Sequence, residues 1–60
     1  MKFSELVIFH NEQKGKCLST SHTMTMIEFR NMFYALIGLY SVLTIEINGD
    51  QVKVTIPFNQ

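Results

Sequence analysis

Two apolar periods follow one another along this chain. Phe29, Met32, Phe33, Leu36, Ile37 and Tyr40 recur at helical spacing, with Met26 beside them. At about 100° per residue they make one wide apolar face. Thr25 stands three residues before Glu28, the spacing of a capping box. The Thr hydroxyl can accept from the Glu28 backbone N–H while the carboxylate reaches back to the Thr25 N–H. That carboxylate also sits at the positive end of the helix dipole. The helix is predicted to begin after Thr25 and to stop at Gly38, because glycine takes the left-handed C-terminal conformation without a Cβ clash. A helix that runs on to Tyr40 with Gly38 inside it is the alternative.

Beyond Gly38 the period drops from about 3.6 to 2. Leu43, Ile45 and Ile47 alternate with Val42, Thr44 and Glu46; Val52, Val54 and Ile56 alternate with Gln51, Lys53 and Thr55. Asn48-Gly49 lies between the two runs and is a strong hairpin signal, since both central residues of a type I′ turn need positive φ. A turn at Asn48-Gly49 sets the register: Ile45 faces Val52, Leu43 faces Val54, Glu46 faces Gln51 and Thr44 faces Lys53. Apolar then meets apolar and polar meets polar.

Upstream, Leu6-Val7-Ile8-Phe9 is a compact apolar run with β-branched residues, read as a strand covered on both faces and central in its sheet. A short helix capped by Ser4 is the weaker reading. Asn11 to Lys16 is a polar turn in which Gly15 is available for positive φ. Cys17 to Thr23, rich in hydroxyls, reads as an edge strand hairpinned to the first. Pro57 limits pairing near the end of the last strand. The order is therefore ββαββ, an α+β domain with a mostly antiparallel sheet and one helix across one face. The helix is expected to bury Phe29, Met32, Phe33, Leu36 and Ile37 against Leu43, Ile45, Val52, Val54 and one face of Leu6 to Phe9. Thr44, Glu46, Gln51, Lys53 and Thr55 line the opposite, wet face.

Composition sharpens this picture. Sixty residues make one domain, and a chain of that size buries only roughly 60% of its unfolded surface. Yet 47% of the residues are hydrophobic, with five Phe and four Met. Association with itself or with a partner would supply missing burial, so a homo-oligomer or a protein partner is expected. Five basic and five acidic residues give a net charge of zero. That leaves no basic stripe for phosphates, although Lys14, Lys16, Arg30 and Lys53 could serve nucleic acid if folding gathered them. The uncharged run from Asn31 to Ile45 falls short of the ~20 residues that span a bilayer as a helix. Leu6 to Phe9 is too short for a signal peptide. One cysteine makes no internal disulfide, and a cytoplasmic protein with a reduced thiol is the default expectation.

Candidate chemistry is sparse. If residues 11 to 16 form a hairpin loop, His10 and Cys17 face each other across its neck, where a thiolate could be activated. No Asp or Asn is placed to orient that histidine, and cysteine is most often a small buried hydrophobe. His10, Cys17 and His22 offer three scattered metal-type ligands, fewer than a structural zinc site uses. The carboxylates Glu5, Glu12, Glu28, Glu46 and Asp50 form no local acid–base pair. The glycines stand alone, without a phosphate-binding loop. No catalytic, cofactor or metal residues are assigned, and an enzyme is not expected. The remaining feature is the outer helix face: Ile27, Asn31, Tyr34, Ala35 and Gly38 point away from the expected core. Tyr is a frequent interface anchor, while Ala35 and Gly38 admit a close backbone. These five are the candidate partner-binding residues.

The expected function is a protein-binding accessory or inhibitor module that occupies a partner's surface, with a nucleic-acid-associated regulator as the alternative. In size and element order the layout resembles small bacteriophage-encoded proteins that inhibit host enzymes or toxins. The likeness covers layout alone and transfers no residue roles.

Overall fold

The computed structural model describes residues 2–58. Five elements follow in chain order: α1 (Phe3–Glu12), β1 (Ser19–Thr25), α2 (Met26–Leu39), β2 (Thr44–Asn48) and β3 (Gln51–Pro57). The fold is α+β, with helices packed on a three-stranded antiparallel sheet of order β1-β3-β2. β1 and β2 both run antiparallel to β3, so they are parallel to each other. β1-α2-β2 is thus a split β-α-β unit with β3 filling the gap.

Among the described residues the order is αβαββ, not ββαββ, with two helices rather than one. Leu6 to Phe9 lies inside α1. The physical reason is a helical stripe carried partly by a histidine: Leu6 and His10, four residues apart, are both buried, and Phe3 and Val7 are half-buried beside them. Ile8 and Phe9, by contrast, are exposed. The helix starts earlier than a Ser4 cap would place it. Lys2 is the N-cap, and its backbone N–H donates to Glu5 Oε1 at 3.1 Å. After α1 the chain turns through Gly15, at φ +86, as its freedom to adopt positive φ allows.

β1 is an edge strand, but it pairs with β3, from Ser19 opposite Pro57 to Thr25 opposite Gln51. The central position expected for Leu6 to Phe9 belongs to β3. Along β1 the alternation hides behind polar names: Thr20, His22 and Met24 are buried, while Ser21, Thr23 and Thr25 are exposed. On the outer face Ser21 Oγ and Thr55 Oγ1 lie 3.2 Å apart across the strand pair.

α2 opens as the sequence predicts. Thr25 Oγ1 accepts from the Glu28 N–H at 3.2 Å, and the Thr25 N–H donates to Glu28 Oε1 at 2.9 Å. The Met26 N–H donates to the Asp50 carbonyl at 2.9 Å, tying this helix start to the hairpin turn. The helix does not stop at Gly38. It continues to Leu39, and Tyr40 is the C-cap in an extended conformation. The Tyr40 N–H still donates to the Leu36 carbonyl at 2.9 Å. Packing of Leu36 and Tyr40 on the core holds the last turn in place despite the glycine.

The β2–β3 hairpin forms with a different register. Asn48 opposes Gln51, Ile47 opposes Val52, Glu46 opposes Lys53 and Ile45 opposes Val54. The two-residue turn is therefore Gly49-Asp50. Gly49 has φ +63, and among the described residues no non-glycine residue has positive φ, so positive φ falls at the first central position of the turn, as in a type II′ turn. Asn48 is spared the left-handed region, and Glu46 gains Lys53 as a cross-strand partner at 4.0 Å.

The core is Leu6, Met24, Phe29, Met32, Leu36, Val52, Val54 and Ile56. Phe33 and Leu43 pack on it only half-buried, and Ile37 and Ile45, both expected inside, are exposed. α2 packs chiefly on β1 and β3, which leaves β2 the least covered strand.

Candidate functional site

The sequence-predicted contact residues do come together. Ile27, Asn31, Tyr34, Ala35 and Gly38 recur at three- and four-residue steps on α2 and share the side opposite the buried stripe of Phe29, Met32 and Leu36. All five are exposed, Ile27 at 70% and Tyr34 at 83%. The face carries no charge of its own; Arg30 flanks it. Tyr34 lies edge-on to Phe33, ring centroids 5.8 Å apart, so its ring is propped at the root and free at the hydroxyl end. A Cβ added at Gly38 would meet nothing within 4 Å, in keeping with an open surface.

The chemically richest cluster is inside. His10 and His22 are both buried. His10 Nδ1 lies 2.7 Å from Thr20 Oγ1, its ring stacks on Phe58 at 4.2 Å, and Tyr40 meets it edge-on at 4.9 Å. His22 meets Phe9 edge-on at 5.5 Å. Among the described residues His22 Nε2 and Tyr40 Oη are buried and meet no hydrogen-bond partner. Burial pushes both histidines below the ordinary value of 6.5; nearby Lys14 adds to this at His10, and His10 adds to it at His22. Burial also raises the Tyr40 phenol. A cavity of about 280 Å³ lies against this cluster, lined among others by His10, Asn11, Lys14, Tyr40 and Phe58. That is at the lower limit of small-molecule pockets.

Among the described residues His10 and Cys17 share no hydrogen bond. His10 belongs to a helix rather than to the neck of a hairpin, and its Nδ1 is engaged by Thr20. Cys17 is exposed, its Sγ 3.7 Å from the Gln13 carbonyl oxygen. Among the described residues no three His, Cys, Asp or Glu are grouped to share a metal ion. The basic residues are dispersed: Lys14 and Lys16 in the turn after α1, Arg30 on α2, and Lys53 on the open sheet face beside Glu46.

Sequence reasoning missed the buried histidine layer. The signal was present: His10 continues Phe3 and Leu6 at helical spacing, and His22 falls between Thr20 and Met24 at strand spacing. Among the described residues no helix is long and apolar enough to cross a membrane. No family model, curated protein or solved structure matches the chain.

Proposed function

We propose that this chain is a non-catalytic binding module that acts by occupying the surface of a partner protein, with the outer face of α2 as the contact. The observation that carries the reading is the exposed, uncharged face of Ile27, Asn31, Tyr34, Ala35 and Gly38. Tyr34 supplies a large anchor with few rotatable bonds, and Ala35 and Gly38 leave room for a neighbouring backbone. The engaged state of His10 and the dispersed cations favour a protein partner over a substrate or a phosphate backbone. The layout likeness to small phage inhibitors rests on a ββαββ order that the chain lacks, so it adds nothing.

Ala35→Arg tests the proposal. On a free helix surface the swap is nearly neutral, since both residues are good helix formers. In a packed contact it places a long cation where a methyl fitted, desolvated and unpaired. Affinity capture from the source cell's lysate, with wild type and variant side by side, should recover a partner protein with wild type alone while circular dichroism stays unchanged. Equal recovery by both would remove this face from the reading. Recovery that collapses steeply with added salt and brings down nucleic acid would favour the phosphate-binding alternative.

A further inference from the structure

β2 is an edge strand guarded by a single charge, Glu46, on its outer face. All five of its residues are exposed, its pairing to β3 runs without a bulge, and it contains no proline and no charge on its core-side face. Ile45 and Ile47 stand opposite Val54 and Val52 and so share the core side of the sheet. Val52 and Val54 are fully buried, yet Ile45 is 38% and Ile47 63% exposed. An open hydrogen-bonding edge therefore coincides with an apolar strip that is only partly covered.

The backbone parity of that edge is fixed. Asn48 and Gln51 flank a two-residue turn and exchange backbone hydrogen bonds, and such pairs alternate along an antiparallel ladder. Asn48, Glu46 and Thr44 thus direct their N–H and C=O toward β3. Ile47, Ile45 and Leu43 direct theirs outward, so the residues with free backbone groups are also the apolar ones.

We propose that the occupant of this edge is a second copy of the same chain, its β2 antiparallel to the first, with Ile45 opposite Ile45 of the second copy. The strand is self-complementary in that register. Ile45 meets its symmetry mate on the axis, and Thr44 meets Glu46 of the second copy on the outer face. Extended by one residue, the same register brings Leu43 against Ile47. Every opposed odd-numbered pair has outward-facing backbone groups on both sides. Sliding by one step, so that Ile45 opposes Ile47, sets Glu46 directly against Glu46, which like-charge repulsion disfavours. Sliding further, to Ile47 opposite Ile47, sends Ile45 onto Gly49 in the turn and shortens the pairing. In the favoured register each Glu46 is only diagonal to its mate and keeps Lys53 on its other side. The product is a continuous six-stranded sheet, with Ile45 and Ile47 of both copies forming one apolar floor between two pairs of helices. This surface is separate from the outer face of α2.

A cysteine scan in a Cys17→Ser background reads both association and register. Hydrogen-bonded antiparallel partners have Cα atoms ~5.5 Å apart, within disulfide reach. Under mild oxidation Ile45→Cys should cross-link into a covalent dimer, while Glu46→Cys and Ile47→Cys should not. By sedimentation the wild-type mass should rise from 7.0 kDa toward twice that value with concentration. Ile45→Pro removes only an outward-facing N–H, a place where an edge strand tolerates proline. It should leave circular dichroism intact and abolish the dimer; Ile45→Lys should do the same by charge. Preferential cross-linking at Glu46→Cys or Ile47→Cys would overturn the register. A wild-type chain still monomeric on the order of 1 mM, where even a millimolar complex is well populated, would overturn the proposal, as would a dimer indifferent to both Ile45 variants. Ala35→Arg should not affect the cross-link, so failure here and failure of the α2 contact are distinguishable.

Discussion

Leu36→Ala is expected to remove most of the stability of this domain. Leu36 is 0% exposed and packed among Leu6, Met32 and the valines of β3. Truncation deletes three carbons from a fully buried site, about 2.4 kcal/mol at ~0.8 kcal/mol per methylene. The hole left in a tightly filled core raises the total to roughly 3–5 kcal/mol. A domain of this length holds only about 3–9 kcal/mol in all. The comparison that tests the reasoning is Ile37→Ala, one position along the same helix. Ile37 is 47% exposed, so it forfeits about half the transfer energy and opens no enclosed cavity, for a cost of about 1 kcal/mol. Phe33, half-buried and edge-on to Phe29 at 5.5 Å, should fall between. Urea titrations followed by far-ultraviolet circular dichroism give the series, with midpoint shifts of several molar for Leu36→Ala at a slope of ~1 kcal/mol per molar. If Ile37→Ala costs as much as Leu36→Ala, the burial assignments along α2 are wrong.

Two further outcomes concern the buried polar layer. Both histidines have folded pKa values below 6.5, so between those values and 6.5 the unfolded chain binds more protons than the folded one. Stability is full above about 6.5 and falls as pH drops from there through the folded values. Urea midpoints followed from ~pH 7.5 to ~5, above the carboxylate range, should decline, and a flat profile would place the rings in water. Tyr40→Phe removes a buried hydroxyl that meets no partner among the described residues; it should be neutral or stabilise by up to about 1 kcal/mol, and a loss larger than that would mean the hydroxyl is hydrogen-bonded.

The parts of the fold legible in the sequence are those where local chemistry and apolar period agree. Thr25 and Glu28 announce the start of α2, and the alternation from Leu43 to Ile56 announces a hairpin. The register was less legible because sliding a hairpin by two positions preserves which face each side chain takes. Only the particular pairs discriminate, and Ile47 with Val52 and Glu46 with Lys53 are better than Ile47 with Asp50. α1 was masked because a four-residue apolar run satisfies strand and helix alike, and the residues that would have extended its helical stripe include a histidine. The same disguise covered β1, whose inward positions are Thr20, His22 and Met24. Gly38 misled because glycine permits a helix end without requiring one. The exposure of Ile27, Asn31, Tyr34, Ala35 and Gly38 was legible, since they remain once the buried stripe of a capped helix is drawn, but Ile37, assigned to that stripe, is exposed as well. The open edge of β2 was not legible, because exposure of Ile45 and Ile47 depends on how far the helices reach, which no local pattern encodes.

Placing β3 between β1 and β2 also determines when the sheet can exist. β1 emerges from the ribosome with no strand beside it to pair with, and its partners on β3 lie more than two dozen residues further along the chain. Until residues 51–57 arrive, the nascent chain can form turns of helix but not a single rung between two of its three strands. β2 can then pair with it locally through the two-residue turn, whereas β1 must reach it across the intervening helix. Non-local pairing of this kind slows folding relative to a chain with neighbouring strands. In the interval both edges of β1 lack a neighbouring strand, and unpaired edges of this kind are where incomplete chains aggregate.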